Sequence, residues 1–193
     1  MDASPIVGIC GKPGSGKDTF ALRLRIKHGF TRVQIKDSMN AILESMGIPS
    51  SHIYDRDKRE DCVPGFKGWT ARKMLQHIAL NFREWFGEDV WVRILWERDL
   101  SGKTGRFVVP DVRTTEDASF LKAMSERDGR TFKLVMISRP GCGATTKGGF
   151  ANHPLESYDL SSECVQIIQN DGTIEKLHLA ADEFVNNHLK RRE

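Results

Sequence analysis

The sequence predicts an α/β fold in which a five-stranded parallel sheet is covered by helices. Three observations predict it: short apolar segments alternate with segments of helical spacing, the first apolar segment lacks polar alternation, and a glycine-rich turn joins it to a helix. An apolar run without alternation is typical of a strand buried on both faces. The predicted strands are residues 6–10, 31–35, 107–111, 131–137 and 165–169. At 193 residues the chain suits one well-buried core, so we expect residues 1–193 to form one domain.

Residues 6–19, with the sequence IVGICGKPGSGKDT, combine the first strand with a loop that suits phosphate binding. The glycines let backbone N–H groups turn toward phosphate oxygens without Cβ clashes, and Lys17 can reach the β- and γ-phosphates. A helix is expected to begin near Lys17 and to end at Gly29, adding its dipole to the site. The residues predicted to bind ATP are Gly11, Lys12, Gly14, Ser15, Gly16, Lys17, Asp18 and Thr19.

Asp18 stands where the pattern G-x-x-x-x-G-K-[ST] has a hydroxyl residue that contacts Mg²⁺, and Thr19 follows one position later. A carboxylate can hold Mg²⁺ directly or through its water shell, because the ion takes hard oxygen ligands. Alternatively, Asp18 complements the dipole of the helix and Thr19 supplies the hydroxyl that faces the metal. Both interpretations stay open at the level of the sequence.

Lys36 and Asp37 follow the second predicted strand and precede a helix over residues 39–46, which Gly47 closes. Asp37 or Ser38 would cap that helix. Equally, Lys36 or Asp37 would face a substrate, because α/β sheets bind ligands at the carboxyl ends of their strands. Lys36 and Asp37 are therefore candidate substrate-binding residues.

A strongly amphipathic helix begins after Thr70, a suitable cap, and ends at Gly87. Its apolar stripe is expected to contain Met74, Leu75, Ile78, Phe82 and either Trp85 or Phe86. The polar residues off or beside that stripe are Arg72, Gln76 and Arg83. Two arginines on one helix can clamp a monophosphate through paired N–H donors, so these polar residues are candidate substrate ligands.

Asp111 ends the predicted strand 107–111, which follows a predicted helix over residues 89–100. A carboxylate at the end of a buried strand, far downstream of a phosphate-binding loop, suits a second group that organises Mg²⁺. The alternative is a cap or turn aspartate before a helix over residues 116–124. We favour the role at the metal, because the loop already requires such a group.

Several candidate ligands share one position relative to the predicted sheet. Arg139 follows the fourth strand and precedes the glycine-rich residues 141–152, whose composition is typical of a lid. Asn170 opens a turn after the fifth strand, before a closing amphipathic helix. The residues that follow strand ends are Lys17, Asp37, Asp111, Arg139 and Asn170. Since parallel strands end at one edge of a sheet, we expect these residues to form a single site.

Residues 11–19 close with the unusual order Gly-Lys-Asp-Thr, and further short motifs lie at 69–72, 75–76, 90–92, 109–113, 137–141, 153–156 and 170–173. In order and spacing these motifs resemble the phage deoxynucleoside monophosphate kinases, within the nucleoside-monophosphate-kinase group of P-loop proteins. The resemblance implies the three-layer P-loop NTPase fold, with a helical substrate-binding region at about 38–86 and a lid at about 139–156. It also implies phosphoryl transfer from ATP, with Mg²⁺, to a deoxynucleoside 5′-monophosphate.

The same resemblance implies roles for individual residues. The catalytic groups that contact phosphate, organise the metal or belong to the lid are Lys17, Arg72, Asp111, Arg113 and Arg139. The turn 170–173 is implied to lie beside the ATP base, so that Asn170 and Gly172 contact ATP. The resemblance also implies that Asp111 contacts both the substrate and the metal.

The composition limits the partners. A net charge of +3 without a stripe of Lys and Arg fits small nucleotide substrates and disfavours a stable nucleic-acid partner. The four cysteines are scattered without a zinc spacing, which indicates a reduced, cytoplasmic setting. No apolar run approaches about 18 residues, so we expect no membrane span. We expect a monomer or a homodimer, in the host cytoplasm if the chain is encoded by a phage.

Two other functions stay open. Another small-molecule P-loop kinase, acting on phosphomevalonate or dephospho-coenzyme A, would share the loop and the lid. From a different class, an ATP-binding switch or DNA-packaging accessory would hydrolyse ATP slowly and bind a partner. The modest charge and the compact length of the chain disfavour that second class.

Overall fold

A computed structural model of the protein describes residues 4–55, 57–142 and 159–189. The strands are β1 (Ile6–Cys10), β2 (Thr31–Arg32), β3 (Phe107–Val109), β4 (Phe132–Ser138) and β5 (Gln166–Gln169). The helices are α1 (Lys17–His28), α2 (Lys36–Ser45), α3 (Ser50–Tyr54), α4 (Ala71–Phe86), α5 (Val90–Leu95), α6 (Thr115–Arg127) and α7 (Ile174–His188). A π-helical turn, Trp96–Leu100, continues α5. Most of the predicted lid, with the motif at 153–156, lies outside the described residues.

The strands form one parallel sheet in the order β2-β3-β1-β4-β5, which confirms the predicted sheet. β1 occupies the centre, where Ile6 pairs with Phe107 of β3 on one side and with Phe132 of β4 on the other. Strands β2 and β3 lie to one side of β1, and β4 and β5 lie to the other. The order therefore changes direction at β1, and parallel sheets bind ligands at such a switch point.

Two strands are shorter than predicted. β2 ends at Arg32 because the chain then turns into a helix, although the Val33 N–H still donates to the Val108 carbonyl at 3.0 Å. β3 ends at Val109, so Asp111 lies two residues beyond the strand and is not its last residue, contrary to the prediction. Both differences place more of the chain at the carboxyl edge of the sheet.

Helix α2 begins earlier than its polar residues predict. Ile35 already has helical backbone angles, with φ −58° and ψ −41°, so the predicted cap at Asp37 or Ser38 is wrong. Both residues lie in the first turn, where the carboxylate of Asp37 complements the helix dipole. The hydroxyl of Ser38 accepts a hydrogen bond from Arg98 Nη1 at 2.6 Å.

The described chain divides into two compact units. The first comprises Met1–Gln34 and Asp99–Glu193 and contains the sheet with α1, α6 and α7. The second, Ile35–Arg98, contains α2 to α5. That the chain acts as one domain with a substrate region at about 38–86 stays a prediction. No helix in the described parts of the chain is long and apolar enough to cross a membrane.

The core of the first unit lies between the sheet and the helices α1 and α7. Val7 and Ile9 of β1 point to this side, where Phe20 of α1 meets Phe184 of α7 edge to face, with ring centroids 5.9 Å apart. Alternation along β1 directs the buried Ile6 to the opposite face, and α6 packs against β4. The result is the predicted three-layer α/β arrangement.

An ion cluster joins α1 to α7. Oδ1 of Asp182 in α7 accepts from Arg23 Nε at 3.0 Å, and Oδ2 accepts from Arg23 Nη2 at 2.8 Å and from Lys27 Nζ at 2.7 Å. His28 Nε2 lies 2.8 Å from Oδ1. The Arg23 guanidinium, with Lys27 and His28, holds the pKa of the Asp182 carboxyl well below its usual range. The cluster ties the helix that follows the glycine-rich loop to the last helix of the chain.

The second unit has its own apolar core, to which α4 contributes. The buried residues of this core are Leu43, Ile48, Ile53, Val63, Ala71 and Met74. Helix α4 begins after Thr70, whose hydroxyl accepts from the Lys73 N–H at 3.2 Å, and it ends at Gly87, as predicted. The capping side chain satisfies one of the helix donors that have no partner within the helix.

The predicted apolar stripe of α4 is wrong at its last turn. Trp85 and Phe86 are 63% and 57% exposed, while Arg83 is buried and donates to the Glu88 carbonyl. Phe82 instead ends the packed face by stacking on Trp91, with ring centroids 4.8 Å apart. Periodicity alone extends a stripe to the end of a helix, whereas here the core ends one turn earlier.

Candidate phosphate-binding site

The loop after β1 has a shape that only glycine permits at two positions. Gly11 has φ 133°, and a Cβ on it would lie 2.2 Å from the Ile137 carbonyl oxygen at the end of β4. Gly16 has φ 105°, and a Cβ on it would lie 2.5 Å from Asn170 Nδ2. Real Cβ atoms do not approach other atoms so closely, and L side chains rarely adopt these angles. The loop is therefore pressed against the chain that leaves β4 and β5.

Lys17 is the first residue of α1, and its side chain curls back over the loop. Lys17 Nζ donates to the Gly11 carbonyl at 2.6 Å and to the Lys12 carbonyl at 2.8 Å. The N-terminus of α1 has no side-chain cap, because its flanking residue is Gly16. An ammonium group beside uncapped helix N–H groups makes this end of α1 strongly attractive to an anion.

Ser15 lies at the inner side of the loop and is 1% exposed. Its N–H donates to the Lys12 carbonyl at 3.1 Å, and its carbonyl accepts from Asn170 Nδ2 at 2.8 Å. Its hydroxyl is buried without a hydrogen-bond partner among the described residues. A buried hydroxyl without a partner is costly, so the Ser15 hydroxyl fits a ligand or a water in the loop. Thus the loop, predicted from its glycines, also contains an unused donor.

Asp18 is bound by a residue that the sequence analysis missed. Arg32, the last residue of β2, donates through Nη2 to Asp18 Oδ1 and to Gln34 Oε1, the latter at 3.2 Å. The Asp18 side chain is 79% exposed, and Thr19 next to it is half-buried. The predicted strand 31–35 placed Arg32 inside the strand, and only the shorter β2 of the structure brings Arg32 to a strand end, so the sequence carried no signal for this residue. The metal role of Asp18 or Thr19 stays a prediction.

Asp111 and Arg139 leave the sheet on either side of the loop. Asp111 is half-buried two residues after β3, and Arg139 is exposed directly after β4; these are the two strands that flank β1. The carbonyl of Arg139 accepts from the Cys142 N–H at 3.3 Å in the turn after β4. Arg113 is exposed beyond Asp111. The fold thus brings Asp111 and Arg139 to the same sheet edge as Lys17.

The turn 170–173 connects β5 to α7 at this edge. Asn170 is buried, and its backbone N–H donates to the Ser138 carbonyl at 2.7 Å. Gly172 is exposed, and Thr173 caps α7 by accepting from the Lys176 N–H at 3.3 Å. That Asn170 and Gly172 contact ATP stays a prediction, since the Asn170 side chain donates to the loop itself.

A pair of thiols lies directly behind the loop. Cys10, the last residue of β1, has its Sγ 3.5 Å from Cys164 Sγ, and Cys164 Sγ donates to the Leu160 carbonyl at 3.1 Å. The contact with Cys164 and burial raise the pKa of the Cys10 thiol, while the same contact lowers the pKa of the half-buried Cys164. Cys10 is 2% exposed and Cys164 is half-buried, so Cys164 is the more accessible thiol of this pair.

The remaining predicted substrate residues lie in the second unit. Arg72 Nη1 donates to Glu60 Oε1 at 2.8 Å, so its guanidinium already forms an ion pair with a carboxylate. Gln76, one turn further along α4, is half-buried, and its Oε1 is buried without a hydrogen-bond partner in the part of the chain that the structure describes. Arg83 is 5% exposed. The residues in the first turn of α2 are the exposed Lys36 and the half-buried Asp37.

Within the described residues, no group of three His, Cys, Asp or Glu side chains could hold a metal ion. Mg²⁺ is commonly held by one or two carboxylates together with waters and phosphate oxygens. Asp111, at the loop edge of the sheet, fits that mode of binding.

No family model matches the chain, and no curated protein matches it. Solved structures do match it. An APS kinase from Mycobacterium tuberculosis, in complex with AMPPNP and APS, is 14% identical with TM-score 0.56 and covers 97% of this chain and 100% of its own. The protein TT1252 from Thermus thermophilus is 18% identical with TM-score 0.53 and covers 97% and 100%.

A gluconokinase from Sinorhizobium meliloti is 14% identical with TM-score 0.51 and covers 97% of this chain and 99% of its own. At such low identity the likeness shows the fold alone. The chain has the three-layer α/β fold of the APS kinase and the gluconokinase, which confirms the fold class predicted from the sequence.

Proposed function

We propose that this chain is a kinase that transfers a phosphoryl group from ATP, with Mg²⁺, to deoxynucleoside 5′-monophosphates. The observation that carries the proposal is the loop after β1, where glycine-only backbone, Lys17 and the uncapped start of α1 converge. The kinases among the solved structures with this fold support the reaction class. The resemblance of the sequence motifs to phage deoxynucleoside monophosphate kinases supports the acceptor.

The loop residues fit a polyphosphate. The Lys17 ammonium, which now donates to two loop carbonyls, can exchange them for phosphate oxygens, and the Ser15 hydroxyl can gain its missing partner. ATP bound here supplies the phosphoryl group that is transferred. Lys17 and the loop N–H groups neutralise charge on the phosphoryl oxygens and align them, so no nucleophilic side chain is required.

Asp111 is the best candidate in the first unit for holding Mg²⁺, because it is half-buried beside the strand that carries the loop. Asp18 already binds the guanidinium of Arg32. We propose that Asp18 and Arg32 act as a pair at the sheet edge, with the carboxylate setting the position of the cation. Arg139 adds a second cation on the β4 side of the loop.

Helix α4 carries the proposed acceptor ligands. Arg72 and Gln76 are four residues apart and so lie on one face of the helix. A nucleotide phosphate can replace the Glu60 carboxylate on Arg72 with paired hydrogen bonds. The unpartnered Gln76 Oε1 can accept from an N–H of a base. Two contacts at this spacing suit a ligand with a phosphate at one end and a base at the other.

The proposal is tested by coupled ADP release with ATP and Mg²⁺. Each deoxynucleoside monophosphate is compared with its ribonucleotide and with a reaction without acceptor, and the product is identified as a diphosphate. We expect a diphosphate from at least one deoxynucleotide. Equal slow ADP release with every acceptor, and no phosphorylated product, would contradict the kinase assignment.

The fold itself does not select the acceptor, since the matching structures include a gluconokinase and an APS kinase. The acceptor panel therefore includes phosphomevalonate and dephospho-coenzyme A. Phosphorylation of one of these, with none of the deoxynucleotides, would keep the kinase class and replace the substrate. Hydrolysis stimulated by DNA, without a phosphorylated small molecule, would favour the ATP-dependent switch.

A further inference from the structure

Asn170 connects the last strand of the sheet to the glycine-rich loop. The residue directly follows β5 and is 8% exposed. Its backbone N–H donates to the Ser138 carbonyl at 2.7 Å, and its side-chain Nδ2 donates to the Ser15 carbonyl at 2.8 Å in a buried hydrogen bond. The main chain of Asn170 is thus held by β4, while its amide group reaches the loop.

The bond to Ser15 fixes the orientation of one peptide group. The Ser15 carbonyl and the Gly16 N–H belong to the same planar trans peptide, so they point in opposite directions. With the carbonyl held on Asn170, the Gly16 N–H must point away from Asn170. If this peptide turned over, a carbonyl oxygen would replace an N–H group and would repel a phosphate.

The space around Gly16 shows how closely Asn170 is fitted. A Cβ on Gly16 would lie 2.5 Å from Asn170 Nδ2 and 3.0 Å from Leu177 Cδ2. The amide of Asn170 thus fills the volume that a side chain on Gly16 would need. This contact and the hydrogen bond to Ser15 are separate observations that assign the Asn170 side chain to the loop.

We propose that Asn170 is a positioning residue that holds the Ser15–Gly16 peptide with its N–H directed toward bound polyphosphate. The inference rests on the proposed function of the loop. It differs from the role implied by the sequence resemblance, in which the turn 170–173 lies beside the ATP base. A residue beside the base would affect only ligands that carry a base, whereas a residue that orders the loop would affect every polyphosphate.

The test uses calorimetric binding of ADP and of inorganic tripolyphosphate, which has phosphates but no base. The variants are Asn170→Asp, which keeps the shape but sets an acceptor against the Ser15 carbonyl, and Asn170→Ala, which removes the donor without adding charge. The control is Gln169→Glu, the same amide-to-carboxylate change on the exposed neighbouring residue. We expect both Asn170 variants to weaken both ligands by about tenfold or more, and the control to stay within about twofold.

Loss of ADP binding with unchanged tripolyphosphate binding would overturn the inference. It would indicate that Asn170 contacts the nucleotide base instead. Unchanged binding of both ligands would also overturn it. A wild-type chain that binds neither ligand would instead refute the proposed function, on which the inference rests. Thermal unfolding is measured for every variant, because a residue with a merely structural role would lower the unfolding temperature without changing affinity in the folded fraction.

If the substitutions prevent folding, the side-chain amide resonance of Asn170 in the wild-type protein supplies the same test. We expect this resonance to shift similarly when ADP or tripolyphosphate is added. A shift with ADP alone would overturn the positioning role.

Discussion

Replacing Gly16 by alanine perturbs the loop at the position where the structure is least tolerant. The new Cβ would lie 2.5 Å from Asn170 Nδ2 and 3.0 Å from Leu177 Cδ2, at φ 105°. The backbone angle and the contact with Asn170 are separate penalties. A free loop can change its shape and so avoid both penalties. A bound ligand requires the original shape, so both penalties then lower the affinity for the ligand.

The two penalties can be estimated separately. A non-glycine residue at a positive φ costs about 1–2 kcal/mol. Forcing a methyl group into filled space costs about 1–3 kcal/mol more. The sum of about 2–5 kcal/mol corresponds to a loss of affinity of at least about 30-fold, at about 1.4 kcal/mol for each factor of ten.

The assay is the Kd of ADP, with two matched glycine variants. Gly14→Ala has the unfavourable φ of 77°, but among the described residues the atom nearest to the new Cβ, Cys142 Sγ, is 3.6 Å away, so the first penalty acts without the second. Gly29→Ala has φ 69° at the end of α1, and no packing neighbour in the described parts of the chain lies within 4 Å of the new Cβ. We expect a loss of about 5- to 30-fold for Gly14→Ala. For Gly29→Ala we expect unchanged affinity with a lower unfolding temperature.

Gly16→Ala binding ADP as tightly as Gly14→Ala would refute this reasoning. It would mean that Asn170 moves aside without consequence, and that the close packing against the loop does not control ligand binding. Equal unfolding temperatures for the two loop variants would strengthen such a refutation, because they exclude a difference in folding.

Further predictions concern the cation of the loop, the acceptor helix and the ion cluster. Lys17→Ala should abolish phosphoryl transfer and leave the unfolding temperature unchanged, whereas Lys122→Ala, an exposed lysine of α6, should keep full turnover. Arg72→Ala should raise the KM for the acceptor about tenfold or more and leave the KM for ATP unchanged, as steady-state kinetics would show. Asp182→Asn should lower the free energy of unfolding at pH 7 by about 1–3 kcal/mol in urea titrations, because Arg23 and Lys27 lose their carboxylate and His28 loses a hydrogen-bond partner. The pKa of Asp182 is depressed in the fold, so wild type should lose this contribution as the pH falls below about 4, and the variant should lack that loss. If the free energy of unfolding fell in the same way at acid pH for wild type and for Asp182→Asn, the contribution assigned to the Asp182 cluster would be contradicted.

Much of the fold could be predicted because its signals are local. The apolar run of β1, the cap at Thr70 and the glycine ends of α1 and α4 depend on residues close together in the chain. Predictions failed where local signals compete, as when α2 began at Lys36 before its polar cap residues. They also failed at the end of α4, because periodicity does not say where a core stops.

The order of glycines and lysine in the sequence predicts an anion loop, since backbone N–H groups and a helix start can form such a site without distant partners. The partners of its residues depend on the tertiary structure. Asn170 forms a hydrogen bond with Ser15, which is 155 positions away in the sequence. Arg32 likewise binds Asp18, and Arg72 binds Glu60. No pattern along the chain selects these pairs, because each needs two segments that approach only when the sheet and helices pack. The sequence therefore predicts that the loop binds an anion, and packing decided which side chains hold its groups in place.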